Sequence, residues 1–124
     1  MRLSVGCALT ALMISSAASA APVGDLAHGQ QLFARCSACH TVEAGGPNRI
    51  GPNLHGVIGR QAGKAAGFHY TDAMKAQTFT WDDARLDRWL TDPHAMVPGT
   101  AMILRTPNES ERRDLIAYLK KATR

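Results

Sequence analysis

The sequence is poor in cysteine, has no sustained alternation of apolar and polar residues, contains no internal repeat or low-complexity tail, and carries no large excess of one charge. Each shortage excludes something. Without a period of two there is no signal for a sheet. A formal charge of +4 over 124 residues is too weak to argue for nucleic acid. Beyond residue 21 no apolar run approaches the length needed to cross a bilayer. Of the three cysteines, Cys7 lies in an apolar N-terminal stretch, leaving Cys36 and Cys39. Two cysteines three apart close a small strained ring that staples almost nothing, so their use is chemical rather than structural.

What is present begins with a leader. Met1 and Arg2 are followed by an apolar stretch from Leu3 to Ile14 and by the small residues Ala18, Ser19 and Ala20, the order expected of a secretory signal peptide. Cleavage after Ala20 would remove Cys7 and Arg2, lower the formal charge to +3 and leave a 104-residue domain over 21–124 in the periplasm. The alternative is a retained membrane anchor over residues 3–21. A domain of 104 residues has a small core, and something extra would help to fill it.

Three helices are expected in that domain. Asp25 to Ala34 places Leu26, Leu32 and Phe33 among polar residues and runs directly into Cys36. A second helix is expected from Thr80, with Asp82 and Asp83 at its positive end and Leu86, Trp89 and Leu90 on its apolar face, ending before Pro93. The last is announced by Thr106-Pro107-Asn108-Glu109, read as a capping box with proline at the first helical position, ahead of Leu115, Ile116 and Leu119. Between Gly45 and Gly67, nine glycines and prolines forbid a sustained helix. A loop of that length in a compact domain is usually functional or wrapped around something. Leu54, Val57, Ile58 and Phe68 give this one apolar surface to bury, which points to a bound cofactor rather than a linker.

Cys36-Ser37-Ala38-Cys39-His40 is the c-type haem attachment motif. Two thiols at this spacing can add to the two vinyl groups of one porphyrin, and the imidazole that follows can reach iron. A thioredoxin-type pair would need a strand before and a helix after it, and a zinc site would need four ligands in paired spacing. Neither pattern is found, since His28, His55, His69 and His94 are scattered. For the sixth iron position the candidates are Met74, Met96, Met102 and those four histidines. Met102 closes the constrained turn Pro98-Gly99-Thr100-Ala101-Met102, which could present a thioether at a fixed angle, whereas packing is the default for Met74 and Met96. A methionine there raises the reduction potential and closes the site to oxygen and peroxide. The rival is a haem peroxidase or gas-binding sensor with an open sixth position.

The sequence further resembles the class I c-type cytochromes of mitochondria and bacterial periplasms. The likeness spans the mature chain, from the haem motif through Gly51-Pro52-Asn53-Leu54-His55-Gly56, Gly59-Arg60 and Gly67-Phe68-His69-Tyr70-Thr71-Asp72-Ala73 to Trp81, Pro98-Gly99-Thr100-Ala101-Met102 and Asp114-Leu115-Ile116-Ala117-Tyr118-Leu119-Lys120-Lys121. It implies an all-α fold, about three main helices plus long loops around one covalently bound haem, with the first and last helices crossing. It also implies that His40 and Met102 bind iron and that the Pro52 carbonyl accepts from the far nitrogen of His40. Arg60, Tyr70 and Trp81 would satisfy a buried haem propionate, and the Thr100 hydroxyl would line the methionine side.

As an electron carrier rather than an enzyme, such a protein would work as a monomer. It would take single electrons from a membrane quinol-oxidising cytochrome complex. The acceptor would be a terminal oxidase, peroxidase, reductase or photosynthetic reaction centre. Departures from the family are also legible. Trp89 stands where a tyrosine is usual, which would cost a hydroxyl near the Met102 sulfur, and Met74 replaces a frequent asparagine. Ala95, Ala101 and His94 fill places where mitochondrial members carry lysines, leaving Arg35 and Arg49, so docking to acidic partners should depend less on salt.

Overall fold

The computed structural model describes residues 13–20 and 22–124; most of the expected leader, with Cys7, lies outside the described residues. Among the described residues five helices follow in order: α1 (Leu26–Phe33), α2 (Asp72–Lys75), α3 (Asp83–Thr91), α4 (Pro93–Met96) and α5 (Glu109–Ala122). Among the described residues there is no strand, only an isolated bridge between Gln61 and Thr80, and no helix long and apolar enough to cross a membrane. The segment from Gly45 to Gly67 contains no helix, as its composition requires. Val57 in it is buried while Ile58 remains 37% exposed, so this loop covers the core with fewer of its apolar residues than expected.

The first and last helices cross at glycine. A Cβ on Gly29 would collide with the carbonyl oxygen of Asp114 on α5 and would lie 2.8 Å from the Tyr118 Cβ. A Cβ on Gly24, just before α1, would lie 2.6 Å from the Arg113 carbonyl oxygen. Backbone meets backbone here because nothing larger than hydrogen fits between them. Phe33 and Tyr118 close the far side of the crossing with ring centroids 5.4 Å apart. Leu115, Ile116 and Leu119 turn the other face of α5 into the core with Leu86, Trp89 and Leu90 of α3.

Polar groups fix the same crossing. Asp114 accepts from the Asp25 backbone N–H at 2.8 Å and pairs with His28 Nδ1 at 2.8 Å, while Asp25 caps α1 through the N–H groups of Ala27 and His28. The His28 hydrogen bond, followed by the Asp25 N–H, holds the Asp114 carboxyl below its ordinary value of 3.8. A carboxyl with a depressed folded-state pKa adds stability that is complete above the unfolded value and fades as the pH falls below it. We therefore expect the denaturation midpoint to fall from pH 5 to pH 3 more steeply in the wild type than in Asp114→Asn. Chemical denaturation at stepped pH measures the two slopes.

Two helix starts differ from expectation. α3 begins at Asp83, with Asp82 as its cap accepting from the Arg85 N–H at 2.8 Å. Thr80 instead lies in the bridge to Gln61, flanked by hydrogen bonds from Trp81 N–H to the Arg60 carbonyl and from Ala62 N–H to the Phe79 carbonyl. Pairing with the glycine-rich loop takes residues 79–81 out of the helix. α5 likewise begins at Glu109 behind an Asn108 cap that accepts from the Glu111 N–H, not at Pro107 behind Thr106. Thr106 is buried with its N–H on the Leu90 carbonyl, and its own carbonyl accepts from Arg112. Both backbone groups are committed to tertiary contacts, so the helix starts two residues later. Pro93 ends α3 as expected but also opens α4, capped by Asp92 through the Ala95 N–H.

Candidate functional site

The haem motif sits where α1 runs out into turns. Cys36 N–H donates to the Phe33 carbonyl at 2.8 Å, and the N–H groups of Cys39 and His40 both donate back to the Cys36 carbonyl, at 3.0 and 2.9 Å. One helical turn thus carries both thiols and the imidazole. Neither cysteine is in a disulfide; Cys36 is buried and Cys39 half-buried. Burial pushes the Cys36 thiol up from its ordinary value, with the neighbouring Arg35 opposing it.

The loop after the motif fixes the imidazole. His40 Nδ1 lies 2.7 Å from the Pro52 carbonyl oxygen. A carbonyl can only accept, so Nδ1 carries the proton and Nε2 keeps its lone pair. Burial lowers the His40 pKa, the Pro52 bond opposes this, and the Arg60 charge lowers it further. The ring is therefore a neutral donor at neutral pH, the form that binds a metal. Gly51 makes the approach possible, because a Cβ there would collide with the His40 ring. Asn53 holds the loop in place, donating to Thr41 Oγ1 at 2.7 Å and to the Glu43 carbonyl at 2.9 Å. Neither Gly51 nor Asn53 was singled out by the sequence for these roles, although both stand in the Gly51–Gly56 motif.

The other expected iron ligand, Met102, follows a turn made by Gly99. Gly99 adopts φ +91, and its open α-carbon faces Ala73, where a Cβ would come within 3.0 Å of the Ala73 Cβ. The turn it makes, closed by Thr100 N–H on the Val97 carbonyl, buries Thr100 and brings Met102 against the core. Trp89 Nε1 donates to Met102 Sδ at 3.2 Å. The sequence had pointed to a lost hydroxyl at this position, and an indole N–H stands in its place. Met74 is buried on α2 and Met96 packs against the core from α4. Of the spare histidines, His28 is on Asp114, His69 and His94 are exposed, and His55 is half-buried with its backbone N–H on Asn53 Oδ1.

A third group of residues is short of partners. Both terminal nitrogens of Arg60 donate to the Asn53 carbonyl and one also reaches the His55 carbonyl, yet its Nε is buried with no hydrogen-bond partner. Burial lowers the pKa of this guanidinium from its ordinary value, with Tyr70 opposing. Tyr70 Oη accepts from the Ala65 N–H at 3.0 Å, which leaves its own proton free to donate. Trp81 is buried between Phe79 and Trp89, edge to face with each. An orphaned buried donor on a cation is costly, and a carboxylate is one acceptor that would satisfy it; Arg113 Nε on α5 is orphaned in the same way.

Around the site the cations are partly occupied. Arg49 donates to the Ser37 carbonyl at 2.9 Å, and Arg35 reaches Thr106 Oγ1 at 3.4 Å. Arg105 pairs with Asp92 at 2.8 Å. Ile50 and Ile103, next to Gly51 and Met102 in the chain, are 81% and 80% exposed.

A helical domain whose first helix runs into two free thiols and a neutral, carbonyl-anchored imidazole, and which packs a methionine thioether against its core, is a protein fitted to carry haem covalently. Comparison with known proteins agrees. The cytochrome c family model matches residues 26–123. The chain is 46% identical over 101 residues to a cytochrome c of the yeast Kluyveromyces lactis, covering 80% of this chain and 92% of the relative. It is 47% identical over 107 residues to a cytochrome c of Chlamydomonas reinhardtii, covering 83% and 94%. To a cytochrome c2 of Rhodoblastus acidophilus it is 44% identical over 99 residues, covering 79% and 92%. The chain belongs to the cytochrome c family, and with that membership come one covalently attached haem c and the work of an electron carrier.

Proposed function

We propose that this protein shuttles single electrons in the periplasm as a monomer, after loss of residues 1–20, with haem joined to Cys36 and Cys39 and iron held between His40 and Met102. The observation that carries this reading is the Met102 sulfur, drawn inward and hydrogen-bonded by Trp89 at 3.2 Å on a turn that Gly99 makes possible. Such a sulfur favours a closed sixth position over the open one that a peroxidase or gas sensor needs. In this reading the haem supplies the one-electron couple of its iron. His40 would give Nε2 to iron, with Pro52 keeping the ring from turning. Arg60, Tyr70 and Trp81 would satisfy a propionate, and Thr100 would line the methionine side.

The donor in this reading is a membrane quinol-oxidising cytochrome complex, and the acceptor is a terminal oxidase, peroxidase, reductase or photosynthetic reaction centre. Relatives come from yeast, a green alga and a bacterium, so the periplasmic setting rests on the leader rather than on kinship. With Ala95 and Ala101 at the surface and Arg105 paired with Asp92, Arg35 and Arg49 are the remaining contributors and docking depends weakly on ionic strength.

Carbon monoxide tests the closed site. The ferrous protein at neutral pH should leave the gas unbound on mixing, with no shift of its main absorption band. Prompt, stoichiometric binding would replace this reading with the open-site one.

A further inference from the structure

Trp89 is held by its neighbours. It lies in the last turn of α3, is 8% exposed, and meets Trp81 edge to face with centroids 5.4 Å apart. Trp81 is in turn set against Phe79 at 4.9 Å, and the Arg85 guanidinium covers the Phe79 ring at 5.6 Å. The indole therefore has one orientation, and its N–H points at the Met102 sulfur. A tyrosine hydroxyl can swing its proton away or accept instead. Indole nitrogen is a donor only, in a direction set by the ring.

A thioether sulfur carries two lone pairs and becomes a stereocentre when one of them binds a metal. We propose that Trp89 is a positioning residue for Met102: its N–H occupies one sulfur lone pair, leaving only the other for iron, and so fixes a single configuration at the coordinated sulfur. This rests on the reading of Met102 as the sixth ligand. The same hydrogen bond draws electron density from the sulfur. Weaker donation penalises ferric iron, the more electron-demanding state, more than ferrous iron, so the bond raises the reduction potential.

The test uses two replacements at position 89 in the haem-loaded protein. Trp89→Phe keeps an aromatic ring against Trp81 but removes the donor. Benzothienylalanine, introduced at position 89 alone, keeps the two-ring shape and replaces N–H by sulfur, so any packing change in the first variant is separated from loss of the hydrogen bond. Magnetic resonance of the oxidised wild type should show one pattern of haem-methyl shifts. Both variants should show either a second pattern or one averaged between the two sulfur configurations.

Their potentials should fall, with the ferrous state disfavoured by several-fold up to about tenfold, which is about 59 mV for a one-electron couple. A wild-type pattern, or a potential changed by less than about twofold in equilibrium constant, in the benzothienylalanine protein would overturn the proposal. Met102→Ala is the control for the underlying reading. If it keeps the wild-type methyl pattern, Met102 is not the ligand and both ideas fall; if it loses that pattern while the position-89 variants do not, only the role of Trp89 falls.

Discussion

Replacing Met102 by alanine should lower the reduction potential by a substantial part of the roughly 0.8 V that axial ligands span across haem proteins, and should open the iron to carbon monoxide. Methionine opposite histidine stabilises ferrous iron; with the thioether gone, water or hydroxide takes its place and favours the ferric state. Met96→Ala is the matched comparison. Met96 packs against the same core from the short α4, and its loss should cost stability through a cavity of the usual few kcal/mol without moving the potential much. Potentiometry on the two variants, followed by gas titration of the reduced forms, separates ligation from packing. A common fall in both variants would mean that a general loosening of the pocket, rather than loss of one ligand, sets the potential.

Gly29→Val should be the most damaging single change to the fold. Alanine in place of a helical glycine ordinarily gains up to about 1 kcal/mol of helix propensity. Here even the first added carbon collides with the Asp114 carbonyl, and valine adds two more. The collision is with backbone, so relief requires α1 and α5 to separate, which would loosen the Phe33–Tyr118 contact and the Asp25–Asp114 hydrogen bond. Overpacking typically costs 1–3 kcal/mol and sometimes more. We expect about 3 kcal/mol or more, a large fraction of the 5–15 kcal/mol that holds a typical domain together. The guanidinium midpoint of the haem-loaded variant measures it, and a midpoint within error of the wild type would refute the close crossing of α1 and α5.

Much of this was legible in the residues. The spacing from Cys36 to His40 states its chemistry without a structure, because the groups that must react lie within one turn of chain. The apolar faces of α3 and α5 follow from helical periodicity, and the helix-free span from Gly45 to Gly67 from its composition, whereas on α1 Phe33 is buried but Leu26 stays 42% exposed. What escaped was decided by partners distant in sequence. Thr106 looks like a helix cap until its N–H is claimed by Leu90 and its carbonyl by Arg112. Thr80 looks like a helix start until the bridge to Gln61 claims that stretch. Local preference yields to tertiary hydrogen bonds of this kind, since a buried backbone group must be satisfied somewhere.

Trp89 shows the same limit in the site. Residue identity alone makes tryptophan in a tyrosine position a lost hydroxyl. Only the placement of the ring shows that a donor still meets the sulfur at 3.2 Å. Arg60 is the opposite case: the resemblance assigned it to a propionate, and its buried Nε is left without an acceptor in the chain.

The weak absorption band at the red edge of the oxidised spectrum, which arises from charge transfer between a methionine sulfur and ferric haem iron, tests the central claim most directly. It should be present in the wild type at neutral pH, survive Met96→Ala and vanish in Met102→Ala. Its absence from the wild type, or its persistence without Met102, would contradict the His40 and Met102 site on which the account of electron carriage stands.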